Sequence, residues 1–269
     1  MTPSQFPDES LEGSVAVVTG AGSPDGIGFA VARRLAIAGC TVAIGATGER
    51  IHDRVASLLD EDFDAVGFIG DLIDPLVCDR LVEAIEERFG RLDVLVNSAG
   101  MTVDNAAPRS APLELVTDAM WHDALDRNLT TAFNMTRAVV PLMRGSGSGR
   151  IVNVSSLSGT AMAFEGEVGY HAAKAGIAGL TRAAAVELSR HGIIVNAVAP
   201  GWMATGSSTD AETTAAASTP LGRAGTPGEI AAVVEMLARP GGYMCGQVLV
   251  VDGGNSLVEN RRGTDTMAS

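Results

Sequence analysis

The sequence predicts a single α/β domain in which a seven-stranded parallel sheet is doubly wound by helices. Seven short apolar runs, each suited to a buried strand, alternate with segments in which apolar residues recur at helical spacing. This alternation is typical of repeated β-α-β units. With 269 residues, 46% of them hydrophobic, the chain is long enough for one large domain and short for two.

The predicted elements follow one another along almost the whole chain. Strands are expected at residues 15–19, 42–46, 66–69, 94–96, 151–154, 194–197 and 248–251, and helices at 27–39, 50–60, 75–89, 117–143, 168–190 and 227–237. Ligands of such sheets bind beyond the carboxyl ends of the strands. Polar residues and glycines that directly follow a strand are therefore the first candidates for a site.

One long segment interrupts the alternation. Residues 206–219 are rich in Ser, Thr and Ala, and we expect them to form an active-site lid, with a disordered surface loop as the alternative. We divide the chain into a flexible arm at residues 1–10, a catalytic domain at 11–254 and a tail at 255–269 that either is disordered or packs on a neighbouring subunit.

Charge and composition exclude several classes of function. The chain has 19 Lys and Arg against 32 Asp and Glu, a net charge of −13, which disfavours nucleic acid and anionic membranes as partners. The amino terminus lacks the basic and apolar stretches of a signal peptide. Cys40, Cys78 and Cys245 are odd in number and lack metal-ligand spacing. We therefore predict a cytoplasmic protein without a metal site.

Four glycines, Gly20, Gly22, Gly26 and Gly28, come directly after the first predicted strand and open a helix. Without a Cβ atom they permit a tight turn and let backbone N–H groups approach a pyrophosphate at the positive end of that helix. Taken alone, the run also fits a purely structural turn. In the strand-to-helix context of a Rossmann-type sheet it predicts a dinucleotide site.

The residues after the second strand bear on the choice between NADP(H) and NAD(H). An acidic residue there would bind the ribose 2′-hydroxyl of NAD, whereas this chain has Thr47 and Arg50, which can bind a 2′-phosphate. Asp25 and Glu49 nearby are unfavourable to a phosphate. The balance favours NADP(H) over NAD(H). Asp71, after the third strand, is placed either to accept from the adenine amino group or to cap the next helix.

Tyr170 and Lys174 lie four residues apart and share one helix face, and Ser156 follows the fifth predicted strand. The ammonium is expected to lower the phenol pKa from its ordinary value of about 10, so that the tyrosine can transfer a proton at neutral pH. His171 points about 100° away around the helix, which makes a Ser-His-Asp hydrolase a poor fit.

These residues together resemble the short-chain dehydrogenase/reductase family in its single-domain form, over about residues 11–254. The matching groups, in family order, are Thr19-Gly20 with Gly26-Ile27-Gly28, then Asp71, Asn97-Ser98-Ala99-Gly100, Asn128, Ser156 with Tyr170 and Lys174, and Pro200-Gly201 with Thr205. The ordered set is far more specific than any one of its members.

The resemblance implies roles for a tetrad of residues. Tyr170 would be general acid for ketone reduction or general base for alcohol oxidation, and Ser156 would orient and polarise the substrate oxygen. Lys174 would bind the nicotinamide ribose and hold the phenolate charge. Asn128 would kink its helix and position a water molecule that links Lys174 to solvent.

The resemblance also implies a cofactor site along the carboxyl edge of the sheet, with Asn97 and Gly100 lining the cleft and Thr205 holding the nicotinamide carboxamide. The predicted cofactor residues are Gly20, Gly22, Ser23, Gly26, Ile27, Gly28, Thr47, Arg50, Asp71, Leu72, Asn97, Ala99, Gly100, Tyr170, Lys174, Pro200, Gly201, Met203 and Thr205. The predicted activity is reversible hydride transfer between a nicotinamide cofactor and a ketone or secondary alcohol.

The substrate end of the pocket is predicted from residues beyond Ser156. Met162 and Phe164 on one side and Trp202 on the other would supply an apolar wall, as is usual for such clefts. Glu165 or Glu167 would select a cationic or polyhydroxylated substrate, or would simply be solvated loop acids. We expect a small or medium-sized molecule.

Two alternatives remain open. Residues 99–105 and 220–230 are similar to those of bacterial 3-oxoacyl-acyl-carrier-protein reductases, but an acidic carrier protein would need a basic patch, for example at Arg144, Arg150 and Arg190. A non-catalytic nucleotide-sensing protein on the same fold is the second alternative. In the resembling family the helices near 117–143 and 168–190 pair between subunits, so we expect a homotetramer.

Overall fold

The structure, a computed structural model, describes residues 10–100, 110–206 and 208–258. Seven strands of this part of the chain form one sheet in the order β3-β2-β1-β4-β5-β6-β7, with every neighbouring pair parallel. This confirms the predicted doubly wound sheet. The strands are β1 Val15–Val18, β2 Thr41–Ala46, β3 Ala65–Ile69, β4 Val94–Asn97, β5 Gly149–Val154, β6 Ile193–Pro200 and β7 Val248–Val251.

The helices connect successive strands and cover both faces of the sheet. They are α1 Ile27–Ile37, α2 Arg50–Leu59, α3 Pro75–Phe89, α4 Asp118–Leu125, α5 Thr131–Ser146, α6 Leu157–Thr160, α7 Val168–Leu188, α8 Asp210–Ala217 and α9 Pro227–Ala238. Five of the six predicted helices are present with ends within a few residues of the prediction, and the helix predicted at 117–143 is divided in two.

Two hydrophobic cores, one on each face, hold the helices against the sheet. Ala16 and Val18 of β1 pack in the core that contains α1 and α9, whereas Val15 and Val17 pack in the core that contains α3, α5 and part of α7. Because alternate side chains of a strand point to opposite faces, a strand buried on both faces must be apolar throughout. This explains the continuous apolar runs in the sequence.

The predicted helix at residues 117–143 is divided into two helices. A π-helical turn, Asp126–Thr130, separates α4 from α5. The Asn128 side-chain amide donates to the Ala124 carbonyl oxygen at 3.1 Å, and that carbonyl would accept the Asn128 backbone N–H in a regular α-helix. The side chain thus replaces a backbone hydrogen bond and displaces the helical register.

The predicted lid contains a helix that sequence reasoning missed. Thr209 and Glu212 form a capping box at the start of α8, in which each side chain accepts the backbone N–H of the other residue. This pattern is present in the sequence as Thr209-Asp-Ala-Glu212 and was the available signal.

No helix in the described ranges is both long enough and apolar enough to cross a membrane. In the same ranges, no group of three or more His, Cys, Asp or Glu residues is arranged to hold a metal ion.

Candidate active site

A cavity of about 460 Å³ lies beyond the carboxyl ends of the strands. Segments that follow β1 to β6 all contribute to its walls, and residues of α7 and of the predicted lid close it from the other side. The predicted catalytic, cofactor and apolar substrate residues all line this cavity except Asn97. One continuous cleft therefore holds both the glycine turn and the Ser-Tyr-Lys group.

The glycine turn after β1 is packed too tightly for side chains. Gly20 has a positive φ of 70°, and a Cβ atom there would lie 2.6 Å from the Ser98 carbonyl oxygen. A Cβ atom on Gly28 would lie 2.5 Å from the Gly20 carbonyl oxygen. Both contacts are shorter than real Cβ contacts allow, so these two positions require glycine.

Helix α1 presents its amino terminus to the cavity. Its first residue, Ile27, and its N-cap, Gly26, both line the cavity, no side chain caps the helix, and no acidic residue lies in its first turn. Free N–H groups and the positive end of the helix dipole favour an anion at this place. The turn and helix together fit the pyrophosphate of a dinucleotide.

Arg50, the first residue of α2, lies against the glycine turn. A Cβ atom on Gly22 would be 2.7 Å from Arg50 Nε, and Arg50 lines the cavity with Ser23 and Thr47. Glu49 instead pairs with His52 at 3.1 Å, and neither Asp25 nor Glu49 is among the cavity-lining residues. The charge next to this part of the cleft is therefore positive.

Asp71 and Leu72 line the cleft after β3. The Asp71 carboxylate accepts the Ile73 backbone N–H at 3.1 Å, which forms a local turn. Asp74, and not Asp71, caps α3 by accepting from the Leu76 N–H. Of the two roles weighed from the sequence, the capping role is therefore wrong.

Ser156, Tyr170 and Lys174 meet at the centre of the cavity. The Ser156 hydroxyl lies beside the Tyr170 phenol and lowers its pKa, and Ser156 also caps α6 by accepting the Ser158 N–H at 3.1 Å. The neighbouring Ser155 hydroxyl donates instead to the Lys174 carbonyl oxygen at 2.8 Å. Ser155 thus ties α7 to β5, and Ser156 is the serine that faces Tyr170.

The electrostatics of Tyr170 differ from the expectation. Burial raises the pKa of the phenol, the Ser156 hydroxyl lowers it, and Glu167 and Glu212 raise it further, so that the net pKa lies above its ordinary value. Burial also lowers the pKa of Lys174 to about 8. Lys174 Nζ lies 5.7 Å from the centre of the Tyr170 ring and donates to the Val154 carbonyl oxygen at 3.1 Å. The expected lowering of the phenol pKa is therefore wrong.

Asn128 faces the same part of the cavity from the π-helical turn. Its Oδ1 atom is buried and has no hydrogen-bond partner among the residues that the structure describes. A Cβ atom on Gly100 would lie 2.9 Å from this oxygen and 3.4 Å from Lys174 Nζ. Glycine at position 100 therefore keeps the space between Asn128 and Lys174 open.

Asn97 has a supporting position in place of its predicted position along the cleft. Its side-chain amide donates to Asn153 Oδ1 at 2.8 Å and to Thr136 Oγ1 at 3.1 Å. The Asn153 amide in turn donates to Thr181 Oγ1 at 2.9 Å. These buried polar groups join β4, β5, α5 and α7 beneath the site. Only the tertiary structure brings them together, so the sequence offered no signal for this network.

Thr19, the first residue of the Thr19-Gly20 motif, is a second supporting residue. Its hydroxyl oxygen accepts the backbone N–H groups of Ser98 and Ala99 at 3.1 Å and 3.0 Å. The bonds hold the end of β4 against the glycine turn after β1. Because Thr19 is almost fully buried, this arrangement rigidifies the floor of the cleft.

The lid side of the cleft is anchored through Ser208. Its hydroxyl donates to the Met203 carbonyl oxygen at 2.7 Å and accepts the Thr205 N–H at 2.9 Å. Met203 packs so closely on Gly225 that a Cβ atom there would be 2.0 Å from the methionine methyl group. Thr205, Met203, Pro200 and Gly201 all line the cavity.

The substrate end combines an apolar wall with two carboxylates. Met162, Phe164 and Trp202 line the cavity, and the Phe164 and Trp202 ring centres lie 6.2 Å apart. Glu167 lines the cavity and Glu165 does not. Glu212, missed from the sequence because α8 was missed, lines the cavity from the lid. These residues give this end of the cavity an apolar wall beside two carboxylates.

Comparisons with known proteins agree with this geometry. A family model described as enoyl-(acyl carrier protein) reductase matches residues 20–256. The 3-oxoacyl-[acyl-carrier-protein] reductase FabG of Vibrio cholerae is 39% identical over 254 residues, which cover 93% of this chain and 100% of that protein. The cis-4-hydroxycyclohexanecarboxylate dehydrogenase of Sinomonas cyclohexanicum is 40% identical over 255 residues, which cover 93% of this chain and 99% of that protein.

A solved structure extends the similarity to three dimensions. A crystal structure of a candidate gluconate dehydrogenase from Agrobacterium tumefaciens superposes with a TM-score of 0.85 and 32% identity, covering 93% of this chain and 98% of that chain. The similarity therefore runs from the glycine turn to the last strand.

Proposed function

Because this chain belongs to the short-chain dehydrogenase/reductase family and is an NAD(P)-dependent oxidoreductase that interconverts carbonyl compounds and alcohols, we propose that it reduces small ketones with NADPH and that Tyr170 donates the proton. The observation that carries the proposal is that Ser156, Tyr170 and Lys174 line the same cavity as the glycine turn. The direct test is NADPH oxidation by the purified enzyme with a panel of ketones.

The residues present fit a nicotinamide dinucleotide. The glycine turn and the amino terminus of α1 would hold its pyrophosphate, Asp71 and Leu72 would contact its adenine end, and Thr205 would hold its carboxamide. Asn128 Oδ1, buried without a partner in the described ranges, is a free acceptor beside Lys174. The bound cofactor supplies or removes hydride.

The chain's own contribution is to position and protonate the carbonyl oxygen. Ser156 and Tyr170 can both donate hydrogen bonds to that oxygen, which stabilises the negative charge that develops there. Tyr170 then passes its proton to the oxygen, and takes a proton from the alcohol in the reverse reaction. A phenol whose pKa is raised by burial remains protonated at neutral pH, which is the form that reduction requires.

The preference for NADP(H) rests on Arg50. Arg50→Ala is expected to raise the dissociation constant of NADPH about tenfold and to leave that of NADH within about twofold, because a charge-assisted contact to a 2′-phosphate is worth about 1.5–3 kcal/mol. Isothermal titration calorimetry measures both constants. Arg33→Ala is the control, since Arg33 pairs with Glu61 at the surface. Equal losses for both cofactors, or tighter NADH binding by the wild type, would contradict this preference.

A 3-oxoacyl-acyl-carrier-protein reductase is the second candidate, and its support is the 39% identity to the Vibrio enzyme. The basic patch that such a partner needs is poorly formed at two of the three predicted residues, Arg144 and Arg150. The Arg150 guanidinium donates to the carbonyl oxygens of Gly149 and Arg239, and Arg144 lies 3.8 Å from Glu187. Both lie at the amino end of the strands, opposite the cavity. These contacts favour a small-molecule ketone over an acyl-carrier-protein thioester as the substrate.

The protein is further expected to be a cytoplasmic homotetramer. Three free thiols support a reducing compartment. Phe133 of α5, Val186 of α7 and Val250 of the edge strand β7 are exposed apolar residues on the surfaces that would pair. Sedimentation equilibrium is expected to give four times the chain mass for the wild type and a smaller assembly for Val250→Glu. A stable wild-type monomer would contradict the tetramer.

A further inference from the structure

His171 follows the proton donor Tyr170 on α7, and both of its ring nitrogens are engaged. Nδ1 lies 2.7 Å from the Glu167 carbonyl oxygen, and Nε2 lies 3.1 Å from the Phe164 backbone nitrogen. A backbone N–H can only donate, so Nε2 must be the acceptor. The proton of the neutral ring therefore resides on Nδ1, where it is donated to Glu167. The two contacts define one tautomer.

These two hydrogen bonds fasten the segment at residues 161–167, which connects α6 to α7. The segment carries Met162 and Phe164 into the wall of the cavity. Phe164 is 42% exposed, so burial alone holds it weakly. Its ring also packs on the edge of the His171 ring, with centres 4.5 Å apart. His171 is thus the described residue that holds Phe164 through both its backbone and its ring.

The backbone of His171 is itself closely packed. A Cβ atom on Gly159 would lie 2.3 Å from the His171 carbonyl oxygen, and Gly159 has a positive φ of 88°. Only glycine at this position lets α6 approach α7 so closely. Because Ser156 is the N-cap of α6, the same packing connects His171, the Phe164 segment and the Ser156–Tyr170 pair as one unit.

We propose that His171 is a positioning residue that holds Phe164 against the substrate and so determines how tightly the enzyme binds ketones with an apolar substituent. His171 does not touch the reacting atoms in this assignment. It acts through Phe164, whose ring centre lies 4.5 Å from that of His171 and 6.2 Å from that of Trp202. The kinetic consequence of this inference rests on the proposed ketone reductase activity. The hydrogen bonds and ring contact by which His171 holds Phe164 do not depend on that activity.

The kinetic test compares two substitutions of His171, with ethyl acetoacetate and NADPH as substrates. His171→Phe keeps a ring but loses both hydrogen bonds, and is expected to raise KM for ethyl acetoacetate about tenfold with KM for NADPH unchanged. His171→Gln places an amide oxygen near the position of Nε2, where it can accept the Phe164 N–H. We expect this variant to keep KM within about threefold of the wild-type value.

His122→Phe is the matched control. His122 Nδ1 also lies near the carbonyl oxygen four residues earlier, 2.8 Å from Asp118 O, but His122 does not line the cavity. This variant should leave both KM values unchanged. An unchanged ketone KM in His171→Phe, or an equal rise in both KM values, would overturn the proposal.

A double-mutant cycle tests whether His171 acts through Phe164. Phe164→Ala alone should raise the ketone KM, and adding His171→Phe should raise it no further, because coupled residues are non-additive. Additive effects would overturn the proposal.

A spectroscopic measurement tests the two His171 hydrogen bonds without substrate. In protein labelled with ¹⁵N-histidine, the His171 signals, identified by their absence in His171→Gln, should show the Nδ1–H tautomer at pH 7.5. An Nε2–H tautomer would overturn the inference. If no ketone of the panel supports NADPH oxidation by the wild-type enzyme, the proposed function fails. The His171 tautomer then decides the inference alone.

Discussion

Tyr170→Phe is expected to lower kcat for ketone reduction about 1000-fold, in the range that a positioned general acid supplies. The substitution removes only the phenolic oxygen, so the interaction with Ser156 and the transferable proton disappear. The ring and its place on α7 remain. We therefore expect the NADPH dissociation constant to stay within about twofold of the wild-type value. Stopped-flow kinetics and calorimetry measure the two effects separately.

The chain offers a matched control, because Tyr243 is its only other tyrosine. Tyr243 is fully exposed, and Tyr243→Phe should leave kcat unchanged. If Tyr170→Phe retains more than about a tenth of the wild-type kcat, Tyr170 is not the proton donor. In that case Ser156, the other hydroxyl in the cavity centre, would be tested next by Ser156→Ala.

Lys174→Met is expected to abolish most activity and yet to stabilise the cofactor-free protein. Burial of the ammonium lowers the pKa of Lys174 from 10.5 to about 8. The buried charge therefore destabilises the folded protein at neutral pH. A pKa shift of this size corresponds to a gain in the free energy of unfolding of at most about 3 kcal/mol for Lys174→Met. Loss of the hydrogen bond to Val154 O reduces this gain. Activity should fall at least about 100-fold.

The pH dependence of stability follows from the direction of this shift. The folded-state pKa lies below the unfolded value, so between about pH 8 and 10.5 the unfolded chain binds more protons than the folded protein. The contribution of Lys174 to the free energy of unfolding therefore rises with pH across that interval, and Lys174→Met lacks this rise. Chemical denaturation of both proteins at pH 7, 9 and 10 measures it. A variant less stable than the wild type at pH 7 would contradict the prediction.

Lys174 is the only lysine in the chain, which allows its ionisation to be read directly. Protein labelled with ε-¹³C-lysine should give one side-chain signal that titrates near pH 8. In kcat/KM for NADPH, which reports ionisations of the free enzyme, a decline should begin near the same pH. A signal that titrates near the ordinary value would show that the ammonium is solvated.

The sequence by itself determined the sheet and the position of the site along its edge. Strands such as β1 are apolar at every residue because both of their faces are buried, and this pattern depends only on neighbouring residues. The four-residue spacing of Tyr170 and Lys174 places them on one face of α7 for the same local reason. The glycines after β1 were recognisable because a tight strand-to-helix turn excludes side chains.

The tertiary structure alone decided the electrostatics and the support of the site. The raised pKa of Tyr170 and the lowered pKa of Lys174 come from burial by segments distant in sequence. The position of Asn97 beneath the cleft likewise depends on partners 39 and 56 residues away. Hydrogen bonds and desolvation at this range depend on the whole packed fold, whereas periodicity records only which face of each element is buried.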